Sequence, residues 1–431
     1  PPLVLLVEVD TLRADGLAPY GGDPTPAVSA LAAEGRVLTG AYAASPWTLP
    51  SVATLLTGKW PWEHGATRLL GRLGDGHTTL AEVFRGAGFR TGGVMTNFVA
   101  TADYGFDQGF ERWDDSLATG HEGSTAAAAV EMLLAQYDEL AADGRPVFLY
   151  SLWFEPHWRY EHDPAAGPAP PIAAVDSLND LRASLAAGAL SDEDLADLRQ
   201  LYAIEVARID AAFAALRAGL EERGAWDDAL VVLTSDHGEA FGEHTMLGHK
   251  HSLHEEEIRI PLLMRYPARI PAGHTVDDLA SLVDLVPTIH DFLDLPMPDG
   301  VWGRSLAPLA TGAVDDLPPR PAPIELTTRY NGRYQRGFRW QDDKFVDRGA
   351  DRQKVHLDLV ADPHELDPVR EKDDDAAYQA RRAESEALWA ELDSARPVRR
   401  GDGALPEGLS DDLAAHGYMG EGDEDEDPKE D

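Results

Sequence analysis

Three stretches of the chain place oxygen and nitrogen side chains where a strand or helix ends, the usual place for binding chemistry. The first is Leu3-Val4-Leu5-Leu6-Val7, running into Glu8, Val9 and Asp10. A short apolar run of this kind predicts a buried parallel strand. Side chains alternate along a strand, so Glu8 and Asp10 point the same way, Glu8 one pleat deeper. Ligand sites in open α/β sheets gather at the carboxyl ends of strands, where Asp10 stands. For Glu8, a metal-ligand role and a buried, paired carboxylate fit equally. The second stretch is Leu230–Ser235, another apolar run, which ends in Asp236-His237-Gly238-Glu239. If the two strands are neighbours, Asp236 and His237 add an oxygen and a nitrogen ligand beside Asp10.

The third stretch runs from Ser45 to Gly58 and reads as a loop feeding a short helix. Pro50 suits a first helical position, Thr48 or Ser51 can cap the free amides, and Gly58 can end the helix. A hydroxyl at a helix start sits where amide N–H groups and the dipole favour an anion. That suits an oxygen nucleophile attacking a phosphate- or sulfate-like centre. Taken alone, however, the stretch reads as a plain N-cap at Thr48, as for most threonines before a Pro-initiated helix.

Further candidates cluster after other strand ends. Val147–Trp153 is a buried strand by pattern and leads into Phe154-Glu155-Pro156-His157. Four histidines lie between 244 and 254, dense for a plain loop. At least one is expected to meet substrate, with Lys250 and His251 leading. Asn97 closes a strand over 91–96 and is a weaker substrate-contact candidate. His64 reads as structural or as lining the mouth of the site.

The elements that must position these groups alternate. Helices are predicted over 26–34, 78–87, 125–142, 191–222 and 282–294, with strands over 37–43, 147–153, 230–235 and 261–266. Residues 162–175 are rich in Pro and Ala and read as a loop or lid over the site. From about Ile324 the pattern changes to short strands, over 333–340, 344–347 and 355–359, then a helix over 376–395. The fold class is therefore α/β: a doubly wound, mostly parallel sheet flanked by helices, with a small C-terminal antiparallel subdomain. The divisions are 1–323, 324–398, and an acidic tail 399–431. That tail ends with eight acidic residues in eleven and is expected to be disordered.

The 431 residues carry a formal net charge of −39, from 76 acidic and 37 basic residues. Nonspecific nucleic-acid binding is therefore not expected. There is no cysteine, which excludes disulfides, thiolate metal sites and a cysteine nucleophile. No run reaches the length of a membrane span. No secretory signal pattern precedes the first strand, and extracytoplasmic and cytoplasmic locations both stay open.

These segments together resemble the sulfatases, a family of the alkaline phosphatase superfamily. The family's nucleophile segment is Cys or Ser, any residue, Pro, Ser, Arg, then a short run to Leu-Thr-Gly and a basic residue. Here Thr48-Leu49-Pro50-Ser51-Val52 is followed by Ala53-Thr54-Leu55-Leu56-Thr57-Gly58-Lys59. Asp10 matches the first Asp of the first metal motif, Thr11 replaces the second, and Tyr20-Gly21 matches its ending. Asp236-His237-Gly238-Glu239 is similar to the family's Asp-Asn/His-Gly-Glu. Glu155-Pro156-His157 resembles a segment whose His contacts the oxyanion or leaving group. Residues 248–261 resemble a Gly-Lys or Gly-His segment followed by Tyr-Glu-Glu and Arg-Val-Pro. Matches run from Val4 to about Asp367.

The resemblance implies a metal-assisted ester hydrolase. One divalent ion (calcium, manganese or zinc) is expected on Asp10, Asp236, His237 and the Thr48 oxygen, with Glu8 as a further candidate. Lys59 and the helix amides are expected to stabilise charge, and His157 or His251 to protonate the leaving alkoxide. Lys250 is the other candidate substrate contact. Two-zinc relatives carry an Asp with a His four residues on; Asp210 is followed by Ala214, so no full second site of that kind is expected. Two departures matter: Thr48 stands at the Cys/Ser position and Val52 at the Arg position. Without cysteine the family's formylglycine is not expected, which leans the reading toward phosphate mono- or diesters or phosphonate esters of a small molecule, glycan or lipid. The alternatives are a true sulfuric ester hydrolase, a phospho-group transferase and an inactive binding protein.

Overall fold

Strand β1 (Leu3–Val9) is buried at every position, as a strand covered on both faces must be. In the computed structural model it lies inside an eight-stranded sheet. The structure describes residues 2–69, 71–119, 125–162, 164, 168–175, 177–327, 334–349, 354–370 and 375–394. The expected tail, parts of the expected lid and residue 333 lie outside these.

The sheet is built from β1, β2 (Arg36–Leu38), β3 (Arg90–Met95), β4 (Arg112–Asp114), β5 (Val147–Trp153), β6 (Leu230–Ser235), β7 (Leu262–Arg265) and β8 (His274–Val276). Their spatial order is β8-β2-β7-β6-β1-β5-β3-β4. All pairings are parallel except those of β7, which runs against both β6 and β2. Leu3, Leu5, Val7 and Val9 face one core layer, shared with α1 (Pro26–Glu34), α3 (Ala126–Leu140) and α4 (Asp192–Glu222). Val4 and Leu6 face the other, shared with α2 (Thr48–Thr57) and α5 (Leu285–Leu293). Glu8 and Asp10 follow Val4 and Leu6 in the alternation, so they point toward the α2 side.

The expected strand over 37–43 is two short strands, Arg36–Leu38 and Ala41–Tyr42. Gly40 lies between them, and a Cβ there would come within 2.7 Å of the Asp278 carbonyl oxygen, a close approach only glycine allows. The helix expected over 282–294 opens with a 3-10 turn, Leu282–Asp284, before α5 begins.

A separate antiparallel sheet follows, in the order β9 (Ala322–Thr327), β10 (Tyr334–Arg339), β11 (Asp343–Asp347), β12 (Val355–Asp358) and β13 (Val369–Arg370). Helix α6 (Ala376–Ser394) packs on it, closing a small aromatic core of Phe338, Trp340, Phe345, Tyr378 and Trp389.

Candidate active site

Val9 pairs with Trp153 on one side and with Ser235 on the other, so β1, β5 and β6 end level. The residues that follow them therefore meet at one edge. Asp10 and Asp236 become neighbours there, both fully buried. Asn97 Nδ2 donates to Asp10 Oδ2, and Asp236 Oδ1 accepts the amides of Thr11 (3.2 Å) and His237 (2.8 Å). The other oxygens, Asp10 Oδ1 and Asp236 Oδ2, are buried without a hydrogen-bond partner, as is Thr11 Oγ1.

His237 completes the group. Its Nδ1 lies 2.8 Å from the Gly238 carbonyl, which places the ring proton on Nδ1 and leaves the Nε2 lone pair facing the carboxylates. Nε2 is 3.4 Å from Asp10 Oδ1, 3.3 Å from Asp236 Oδ2 and 3.3 Å from Thr48 Oγ1. Ligands about 2.1 Å from zinc in a tetrahedron, or about 2.4 Å from calcium in an octahedron, both stand about 3.4 Å apart. The spacing fits a divalent ion of either kind. Burial raises Asp10 well above the usual carboxylate range, with Asp236, Glu239 and Glu8 adding repulsion. Asp236 is raised by burial too, although His237 opposes this, and burial lowers His237. A bound cation would compensate such a dry cluster of acids.

Thr48 enters this group as the first residue of α2, not as its cap. The N-cap position is Trp47, with no side-chain capping bond, and Ser51 Oγ donates to the Ser45 carbonyl at 2.8 Å. Pro50 is the third helical residue, where its missing N–H is equally harmless. Gly58 ends the helix in the left-handed region, at φ 65°. Thr48 Oγ1 is thus free of local capping and faces His237 Nε2.

Four more side chains surround the cluster. His157, after β5, is buried, with Nδ1 2.6 Å from the Trp158 carbonyl and its ring stacked on Phe154. His249 packs between it and the metal-ligand candidate, 5.1 Å from the His157 ring and 4.4 Å from the His237 ring between centroids. Glu239 Oε1 lies 3.3 Å from His249 Nδ1. Burial holds His249 well below the ordinary imidazole range and pushes Glu239 up to about 8. Lys250 is buried with its ammonium over the Trp47 ring, 4.4 Å from the centroid. Burial lowers it strongly, then Arg182, while Asp10 draws it back up.

Asp10, Thr48, Asp236 and His237 are brought together, with His157 and Lys250 around them. Glu8 lies beneath, with Oε2 accepting from the Tyr150 hydroxyl and Oε1 unpaired. Two candidates stand apart. Lys59 follows the far end of α2, about 15 Å from Thr48 at the helical rise, and its Nζ is 3.3 Å from His77 Nδ1. His251 directs Nε2 to the Leu247 carbonyl at 3.1 Å and its amide to Glu257. His249 is the histidine of this segment that sequence reasoning passed over. Asn97 bonds the metal-ligand candidate Asp10, a role its strand-end position does not announce. Asp210 caps α1, accepting from the Ala27 and Val28 amides at 3.1 and 2.8 Å. His64 is structural, bonded to Thr54 Oγ1 and the Ala66 amide.

Comparison with known proteins identifies the family and the fold. The Sulfatase family model matches residues 2–295. A second model, N-sulphoglucosamine sulphohydrolase, C-terminal, matches residues 242–388. The multifunctional alkaline phosphatase superfamily protein PehA of Trinickia caryophylli is 37% identical over 132 residues, which cover 30% of this chain and 26% of PehA. The ulvan-active sulfatase of Formosa agariphila is 26% identical over 400 residues, covering 84% of this chain and 76% of that protein. Among solved structures, the phosphonate monoester hydrolase of Agrobacterium radiobacter superposes with a TM-score of 0.71 at 24% identity, covering 91% of this chain and 96% of that one.

Proposed function

The chain belongs to the sulfatase family, and on that premise we propose that it hydrolyses a phosphate-type ester with the unmodified Thr48 hydroxyl as nucleophile. Hydrolysis of sulfuric or phosphoric esters is the chemistry of this family. The observation that carries the finer reading is the Thr48 hydroxyl itself, 3.3 Å from His237 Nε2 and released from capping.

Asp10, Asp236, His237 and Thr48 would hold the divalent ion, which when bound supplies Lewis-acid stabilisation of charge on the ester oxygens. Thr48 Oγ1 attacks phosphorus from the start of α2, and its proton has the Asp236 carboxylate as acceptor. The amides of the first turn of α2 and the Lys250 amino group face the non-bridging oxygens, and a bound anion opposes the burial that lowers Lys250 and favours its charged form. As the bond to the leaving oxygen breaks, His249, oriented through Nδ1 by Glu239, or the adjoining His157 delivers a proton to that oxygen. A bound anion opposes the burial that keeps His249 neutral, and so favours its proton-carrying form. The same imidazole then takes a proton from water, which attacks phosphorus and breaks the bond to Thr48 Oγ1, and the Thr48 oxygen recovers its proton from Asp236.

The lean to phosphorus follows from the nucleophile. A formylglycine hydrate has two hydroxyls, one to attack and one to expel sulfate by reverting to the aldehyde. Threonine has one, so its ester must be cleaved by a second displacement at the central atom, a step common for phosphoryl intermediates and slow for sulfate. The long alignment with an ulvan-active sulfatase favours the second reading, sulfate-ester hydrolysis. Turnover on matched aryl phosphate monoesters, diesters, phosphonate esters and sulfate esters, with added zinc, manganese or calcium, separates the two. Phosphate-type turnover well above sulfate turnover is the expected result; the reverse order favours the second reading.

A further inference from the structure

Outside the Asp10 cluster, the described residues hold one other group of three metal-binding side chains close enough to share an ion: His244, His254 and Glu256. The two imidazole rings stack with centroids 3.7 Å apart. Glu256 Oε1 lies 3.7 Å from His244 Nε2 and 3.9 Å from His254 Nδ1. These separations are too long for hydrogen bonds, and both His254 Nδ1 and Glu256 Oε1 are buried without a partner. His254 as a whole is 6% exposed. Donors around a tetrahedral zinc stand about 3.4 Å apart, so the two Glu256 separations need close by only roughly half an ångström or less, and all three donor atoms lie within 4.8 Å of one another. His244 and Glu256 also line a cavity of about 570 Å³, whose wall includes Arg13, Arg199 and His364.

We propose that His244, His254 and Glu256 form a metal site, separate from Asp10, Asp236 and His237, that takes zinc or another late first-row divalent ion. Two imidazoles and one carboxylate are the donor types such ions select, and the fourth position opens into the cavity. Arg348 approaches His254 Nε2 at 3.4 Å. A metal on Nδ1 puts the ring proton on Nε2, so Arg348 must withdraw. His244 follows His237 in the loop after β6, and His254 follows His249 and Lys250, so an ion here would fasten both site loops to each other.

The test is a zinc-edge anomalous diffraction map of the full-length protein crystallised with zinc, alongside zinc content after dialysis. A peak within bonding distance of His254 Nδ1 and Glu256 is expected, and His254→Phe should lose about one equivalent of zinc relative to the wild type. Arg348→Ala should tighten zinc binding at this site. Equal zinc content in wild type and His254→Phe, or no peak beside His254 in the wild type, overturns the proposal. If His254→Phe does not fold, the wild-type map alone decides. A peak at Asp10 and Asp236 speaks to the other site and leaves this result unchanged.

Discussion

Asp210→Ala should destabilise the protein by about 2–3 kcal/mol while leaving metal content and turnover of the folded enzyme unchanged. The carboxylate accepts the Ala27 and Val28 amides at the start of α1, at 3.1 and 2.8 Å. A hydrogen bond to a charged group contributes about 1.5–3 kcal/mol, so the pair sets an upper bound of about 3–6. The Ala27 amide is only half-buried, so water can replace its partner. The Val28 amide belongs to a fully buried residue and would stay unpaired. Loss of a capping side chain costs up to about 2 kcal/mol in other helices, which brings the expectation below that bound, to about 2–3 kcal/mol. Asp210→Asn keeps one acceptor and should lose about half as much. The assay is urea unfolding, read as a lower midpoint at unchanged slope, with elemental analysis and turnover measured on the same preparations. An unchanged midpoint with lost metal or activity would show that Asp210 serves the site, and the capping argument would fail.

Asp236→Ala should lose bound metal and activity together, because it removes one of the unpaired oxygens facing His237; full metal occupancy by elemental analysis would reject that assignment. Glu239→Gln should slow esters with poor leaving groups far more than those with good ones, since it loosens His249 without touching Thr48; equal effects across a leaving-group series would count against His249 as the proton donor. Burial raises Glu205 to about 7 despite Arg208. The native state then holds a proton the unfolded chain has released, so stability should fall as pH climbs from about 4.5 to about 7 and level off above. Glu205→Gln should flatten that slope in thermal unfolding across the pH series, and an unaltered slope would contradict the cause given.

Much of this was legible in the sequence because strands carry their own signal. The apolar runs of β1, β5 and β6 announce buried strands, and Asp10, His157 and Asp236 follow their carboxyl ends. The sequence cannot say which strands are neighbours; the register of Val9 with Ser235 settles that for Asp10 and Asp236. Within 249–251, His-Lys-His, composition gives no means of telling which ring turns inward. The backbone decides, with Lys250 at φ 68° in the left-handed region, and it is His249 that reaches the His237 ring. Lys59 stands apart from the Asp10 cluster for a simple reason of length: a helix separates it from Thr48 although the two share one motif. The sequence does not announce Asp210 as the cap of α1, because capping across helices leaves no periodic trace.

The most direct test of the account is the covalent state of Thr48 during turnover. The full-length enzyme is quenched in acid while hydrolysing an aryl phosphate or phosphonate ester, and its intact mass and peptides are read by mass spectrometry. Before substrate, the peptide containing Thr48 should have its unmodified mass; after quenching it should carry one phosphoryl-type group on Thr48. Thr48→Ala should abolish both the adduct and turnover. A modified Thr48 in the resting enzyme, faster turnover of the matched sulfate ester, or turnover that survives Thr48→Ala would contradict the account.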